Sequence, residues 1–375
     1  MNSIPKLRFP EFKDDWIPLK MRTVVSERSV TSPENVPLYS LTIENGVTPK
    51  SKRYERKFLV NNVSGAYKLM KQYDFAFNPM NLRFGALAMH SEKIDVKVSK
   101  YYNIFYFSEE VSSQFFEVYL LTNKMIGFYN KMATGSLEEK KRVHFLDFLD
   151  FKFPAPTLPE QKKIADFLGA VDEKLRLLRA RHDALSEYKK GVMQKIFSQA
   201  IRFKADDGSD FPDWEKAEFH DKVELAKEKY NPAKGLESWN SVELESIEQN
   251  TGRLISSFDA NGLKSLKTKF TQGDVLFGKL RPNLRKFFLA DFEGVCSSEI
   301  WVLRGSKIVG AFLFYFVQLQ KFSYACSKTS GSKMPRADWQ FVGSTPFEFP
   351  HEDEQQKIAD FLSAIDDKIS AVASQ

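Results

Sequence analysis

Gly273-Asp-Val-Leu-Phe-Gly-Lys279 has the glycine and lysine spacing of a phosphate-binding loop, but Leu280 stands where a hydroxyl would have to hold magnesium. The strand-like residues inside it cannot wrap a phosphate, so no nucleotide site is expected. Asn78-Pro79-Met80 lacks the second proline and the aromatic residue of an amino-methyltransferase loop, and no glycine-rich fingerprint precedes it. Asp213, Glu215 and Lys216 resemble part of a metal-dependent nuclease site, where the second acid and the lysine should lie well downstream on a separate strand. His90, His144, His182, His220 and His351 are scattered, with no pair at ligand spacing and no serine or cysteine arranged as a nucleophile. With Cys296 and Cys326 the only cysteines, neither a disulfide framework nor a cysteine zinc site can form. The chain is expected to be non-catalytic, with no metal and no cofactor.

The remaining chemistry is that of cations in loops. Lys50, Lys52, Arg53, Arg56 and Lys57 form one cluster; Lys264, Lys267 and Lys269 a second; Lys279, Arg281, Arg285 and Lys286 a third. Two Gly-Ser pairs, Gly135-Ser136 and Gly331-Ser332, are each followed by further cations: Lys140, Lys141 and Arg142 in one case, Lys333 and Arg336 in the other. Loops of this kind suit phosphate contacts, and arginine, asparagine and glutamine can read guanine and adenine edges. Any single lysine is as readily a solvated charge. Clusters placed alike in both halves of a chain with net charge +6 favour a nucleic acid.

The elements that must position these loops come in two copies. Glu160 to Lys174 returns, little changed, as Glu354 to Lys368, and Ile164 and Ile358 stand 194 residues apart. That period is far longer than a solenoid repeat, so each copy holds a whole domain plus a helix. Landmarks agree while the residues between them do not: Phe151-Lys-Phe-Pro matches Phe347-Glu-Phe-Pro, and Leu7-Arg-Phe-Pro with Trp16 matches Ile201-Arg-Phe with Trp214. Aromatic runs such as Tyr73 to Asn78, Tyr101 to Phe107 and Lys286 to Phe292 read as half-buried strands of domain core.

Within the repeated helix Ile164, Val171, Leu178, Leu185 and Val192 fall at seven-residue intervals, flanked by Phe167, Leu168, Leu175, Tyr188 and Ile196. This is a coiled-coil seam. Pro159 and Glu160 suit a first turn, and a helix from Glu160 to Ser198 would measure about 58 Å at 1.5 Å per residue. Ile358, Ile365 and Val372, beside Phe361, Leu362 and Ile369, repeat the seam and supply a partner, the expected arrangement being an antiparallel pair. The alternative is that each helix is core for its own domain. The second copy stops at Gln375, before the equivalent of Tyr188 to Phe197, and reads as truncated.

Taken together, these residues resemble the specificity subunit of type I restriction–modification enzymes, most specifically in Phe153-Pro-Ala-Pro-Thr-Leu-Pro-Glu-Gln-Lys-Lys-Ile-Ala and its second copy from Phe349. The resemblance covers essentially the whole chain. It implies an α/β fold with two mixed target-recognition domains, related by a pseudo-twofold axis and joined by helices that set the spacer of a bipartite DNA site. The expected division is 1–157, arm and first domain; 158–200, central helix; 201–350, second lead-in and domain; 351–375, distal helix. Implied partners are double-stranded DNA, two methyltransferase subunits and ATP-dependent restriction and translocase subunits. By position, DNA contacts fall on Lys52, Arg53, Asn78, Asn81, Arg83, Ser136, Lys141 and Arg142, and on Lys267, Lys279, Arg281, Arg285, Ser332, Lys333 and Arg336. Ile164, Phe167, Leu168, Val171, Leu178, Leu185, Ile358, Phe361, Leu362 and Ile365 are assigned jointly to helix pairing and methyltransferase docking.

Composition agrees with a two-core protein. At 375 residues, 42% hydrophobic and 28% charged, the chain is ample for two domains, and the polar stretch from Met1 to Trp16 is no signal peptide, so a cytoplasmic protein is expected. A different class, a coiled-coil adaptor that binds only proteins, would leave the basic loops incidental. A self-contained nuclease would need magnesium-dependent cleavage by the purified chain.

Overall fold

Alternation along three short strands decides which way each domain faces. In Phe75–Phe77, Leu87–Met89 and Asn103–Phe107, the side chains of Phe75, Phe77, Leu87, Met89, Phe105 and Phe107 enter one core, while Ala76, Ala88 and Ile104 enter another. A two-residue period sends successive side chains to opposite faces. Both faces are apolar here, so these strands, apart from the exposed Tyr106, are covered on both sides rather than half-buried. Full burial of one such phenylalanine contributes about 2 to 3 kcal/mol.

The computed structural model describes residues 5, 7–50, 67–234, 237–328 and 334–375. They divide into two compact units, Met1–Arg176 and Leu177–Gln375. In the first unit the sheet runs Val25–Glu27, Asn103–Phe107, Phe75–Phe77, Leu87–Met89, all antiparallel. Its phenylalanine face packs against residues from the helices Ser113–Leu120, Asn123–Met132 and Phe145–Leu149. The smaller face meets the hairpin Tyr39–Thr42 with Gly46–Pro49 and the pair Tyr67–Met70 with Val96–Ser99.

The second unit repeats this plan. Val275, Phe277, Phe287, Trp301 and Leu303 face one core, Leu276, Phe288, Ile300 and Val302 the other, in a sheet ordered Val223–Leu225, Ile300–Gly305, Val275–Gly278, Phe287–Leu289. Its covering layer differs: a five-stranded mixed sheet, with Asn240–Val242 parallel to Gly294–Cys296, replaces the two small ribbons.

Each unit also ties its lead-in segment to the start of a repeated helix. The strand Ile17–Lys20 pairs antiparallel with Lys152–Ala155, and Glu215–Glu218 with Pro346–Phe349. The helices next in the chain, Leu158–Phe197 and Glu352–Ala373, carry a buried glutamate in the first turn. Glu160 accepts from Arg8 Nε at 2.6 Å, from Arg8 Nη2 at 2.7 Å and from Trp16 Nε1 at 3.3 Å. Glu354 accepts from Arg202 Nε at 3.2 Å, Arg202 Nη2 at 2.8 Å and Trp214 Nε1 at 3.2 Å. The neighbouring Gln161 accepts from Ser112 N and donates to Pro156 O; Gln355 accepts from Val309 N and donates to Pro350 O. These fork-shaped, charge-assisted bonds fix where each helix leaves its domain.

The helix Leu158–Phe197 has 40 residues, about 60 Å at 1.5 Å per residue, and begins in one unit and ends in the other. Inside the second unit its last turns run antiparallel to Glu352–Ala373. Arg202 meets Glu354 at one end, Lys189 Nζ donates to Asp366 at 2.7 Å further on, and Met193 and Ile196 share a core with Ile358, Leu362 and Ile365.

Candidate nucleic-acid interface

In the first unit a short loop succeeds strand Phe75–Phe77. Asn78 Oδ1 accepts from Met80 N, Leu82 N donates to Asn78 O, and Gly85, at φ +91°, closes the turn in a conformation that side chains resist. Val143 N donates to Pro79 O at 2.9 Å, which brings the Gly135 to Arg142 segment alongside. At Gly135, φ is +153° and an added Cβ would sit 3.0 Å from Lys141 Cα, so the Gly-Ser turn requires its glycine. Asn81, Ser136 and Arg142 are exposed or partly exposed here, and Lys141 forms an ion pair with Glu138 at 2.6 Å. The hydrogen bonds from Lys141 and Arg83 hold Glu138 below the usual carboxylate range.

The second unit builds the counterpart with other side chains. Ala337 N donates to Lys279 O, again at 2.9 Å, Arg281 N donates to Pro335 O, and Leu280 bridges Arg336. Lys279 and Arg281 thereby share one platform with Arg336, which is distant in sequence. Arg281 and Arg285 flank the turn Pro282–Leu284 at φ +50° and +49°, left-handed values that cost a non-glycine residue of order 1 kcal/mol or more. Arg281 is exposed and, among the described residues, has no carboxylate partner. Arg285 is tied down instead, its Nη2 donating to Gln318 O at 2.6 Å. Lys52, Arg53, Ser332 and Lys333 lie outside the described residues.

Two expected contacts are not on this surface. Lys267 is 3% exposed, on a strand inside the five-stranded sheet, and its Nζ donates to Glu243 at 2.6 Å. Arg83 is 8% exposed, bonded to Glu138 and lying over the Phe84 ring. Both are held in ion pairs within their own unit instead. Lys267→Ala is expected to destabilise the second unit by about 2 kcal/mol, read by urea denaturation, without changing any base preference. An altered preference at unchanged stability would restore it as a contact.

The helix residues separate in the same way. Ile358, Leu362 and Ile365 are buried in the core of the second unit, Phe361 packs edge-on to Phe203, and Ile164 packs on the first core. In that core Ile358, Leu362 and Ile365 meet Met193 and Ile196 of the first helix, so helix pairing and domain core are served together. Leu168, Leu178 and Leu185 are half-buried, whereas Phe167, edge-on to Phe9, and Val171 are exposed. Sequence reasoning did not single out Glu138, Glu299 or the clasp of Arg8, Glu160 and Trp16. The clasp had a signal, because Arg8 and Glu160 lie as far apart as Arg202 and Glu354, 152 residues.

Two mixed α/β domains on one plan, with a constant helix clasp and unlike cationic loops, define a tandem-repeat protein whose scaffold is fixed and whose loops vary. Residues 17–187 and 212–374 both match the type I restriction modification DNA specificity domain, and the chain belongs to that family. It is 26% identical over 259 residues to the type I restriction enzyme MjaVIII specificity subunit of Methanocaldococcus jannaschii, covering 63% of this chain and 59% of that one. With the EcoDI specificity subunit of Escherichia coli it shares 23% over 244 residues, 56% and 54% of the two chains. The chain thus spans somewhat over half the length of these curated relatives. The crystal structure of a type I restriction-modification S subunit from M. genitalium matches with a TM-score of 0.61 at 11% identity, over 99% of this chain and 94% of that one, a likeness of fold.

Proposed function

We propose that this chain is the DNA sequence-specificity subunit of a type I restriction–modification complex. Each unit reads one half of a bipartite double-stranded target, and the helices set the unread spacer and dock two methyltransferase subunits, with ATP-dependent restriction subunits joining the assembly. The chain is itself non-catalytic and acts on DNA in the cytoplasm. Among the described residues no helix is long and apolar enough to cross a membrane. The observation that carries the reading is the contrast within the repeat: the clasps at Glu160 and Glu354 use the same three donors, an arginine Nε, its Nη2 and a tryptophan Nε1, while the loop platforms at Pro79 and Lys279, held by the same backbone bond, carry different side chains. A constant frame with variable loops suits two readings of one ligand class.

The test is long-read sequencing of methylated bases in cells that express the chain with its methyltransferase, against cells lacking only this chain. A bipartite methylated motif should appear only with the chain. The same methylation with and without it would overturn the proposal.

A further inference from the structure

The loop platform of the second unit contains an arginine that is already aimed. Arg336 Nε donates to Glu299 Oε2 at 2.9 Å, and its Nη2 donates to Oε1 at 3.1 Å. That fork uses one edge of the guanidinium and, among the described residues, leaves Nη1 and the outer hydrogen of Nη2 unspent. Glu299 is itself anchored, since Lys279 N donates to its carbonyl at 3.0 Å. Arg336 holds the Glu299 carboxyl below the usual carboxylate range, so the buttress stays ionised at neutral pH. Beside it opens a cavity of about 430 Å³ whose lining includes Lys279, Trp301, Arg336 and Trp339, with the two indoles edge-to-face at 5.5 Å, and Asp338, whose Oδ1 accepts from Gln340 N.

We propose that Arg336, held by Glu299, reads a guanine through its major-groove O6 and N7 in the half-site of the second unit, with Glu299 as its positioning residue. This rests on the DNA-recognition reading above and adds the base and the residue. Bidentate pairing to O6 and N7 needs two parallel N–H groups in a fixed plane, which is what the unspent edge offers. A phosphate can accept the same fork but carries no base identity, and the variants below separate the two. The first unit lacks this device: Arg142 occupies the equivalent place without a carboxylate partner among the described residues, and Pro79, Asn103 and Phe145 stand where Lys279, Trp301 and Trp339 stand in the second. The assignment therefore concerns one half-site only.

The experiment compares methylated motifs from cells co-expressing the methyltransferase with wild-type chain, Arg336→Lys, Arg336→Ala or Glu299→Gln, each checked for folding by thermal denaturation. The wild-type motif should hold a guanine that both Arg336 variants cease to require, the other half-site staying unchanged; Glu299→Gln should relax the same position in part. In binding assays on the resulting motif, 7-deazaguanine at that position should weaken wild-type affinity about tenfold. Full rescue by Arg336→Lys, or an equal loss at all sequences, would show an electrostatic contact and overturn the proposal. So would a wild-type motif in which no guanine depends on Arg336. Absence of any motif with the wild-type chain would instead overturn the DNA-recognition reading, and this inference with it.

Discussion

Inserting one heptad between Leu175 and Leu185 is expected to lengthen the unread spacer of the methylated motif by about three base pairs and to leave both half-sites unchanged. Seven residues add about 10 Å of helix, and B-DNA rises about 3.4 Å per base pair along a strand. Seven residues also return the helix to nearly the same face, since the drift against the heptad is only about 20°. An insertion of two residues adds about 3 Å but rotates the downstream turns of the helix by about 200°, so it should abolish methylation rather than shift the spacer. The site suits the operation: Leu175 and Leu177 are exposed and this part of the helix is largely solvated. A functional heptad insertion with the original spacer would refute the role of the helix as a ruler.

Glu354→Ala should give the largest loss of stability of any single change at the second clasp. The carboxylate is fully buried, accepts both donors of Arg202 and the Trp214 indole N–H, and fixes the lead-in to the helix. Removing it leaves a guanidinium, only a quarter exposed, with the Phe211 and Pro212 carbonyls and the fully exposed Asp213 at 3.5 Å but no buried counter-charge, at a cost of about 3 kcal/mol. For a unit of this size that corresponds to a fall in Tm of about 6–12 °C. Glu352→Ala, an exposed position two residues earlier on the same helix, should stay within about 0.5 kcal/mol. A Tm change under about 2 °C for Glu354→Ala would mean that water replaces the carboxylate and the clasp is incidental.

The heptad of the central helix and the alternation of the sheet strands were legible because both are local periods. Phe75, Phe77 and Phe105 announce a strand face by themselves, and the 194-residue repeat announces two domains. Whether a cation meets water or a carboxylate was not legible. Lys267 and Lys269 look alike in sequence, yet strand register buries the first against Glu243 and leaves the second nearer the surface with Glu228. Arg83 likewise looked free beside Asn81, and only the approach of Glu138, 55 residues on, commits it to the interior. Contacts that span a domain leave no local period. The expected pairing of helices was legible in direction from the second seam, but which seam residues serve their own domain depended on the depth of each core.

One further difference between the copies bears on how such chains are inherited. Asp74 and Asp274 are both buried and each is bound by an arginine, yet Arg28 reaches Asp74 from the segment after the edge strand, whereas Arg304 reaches Asp274 from the adjacent strand. In register, Arg28 corresponds to Ala226 and Arg304 to Tyr106. A crossover that carried only the edge strand from one copy to the other would strand one aspartate with no counter-charge and give the other two arginines. A crossover that moves a complete domain, with breakpoints in the near-identical helices, keeps each pair intact. Of the two exchanges, the whole-domain one alone leaves both buried carboxylates neutralised.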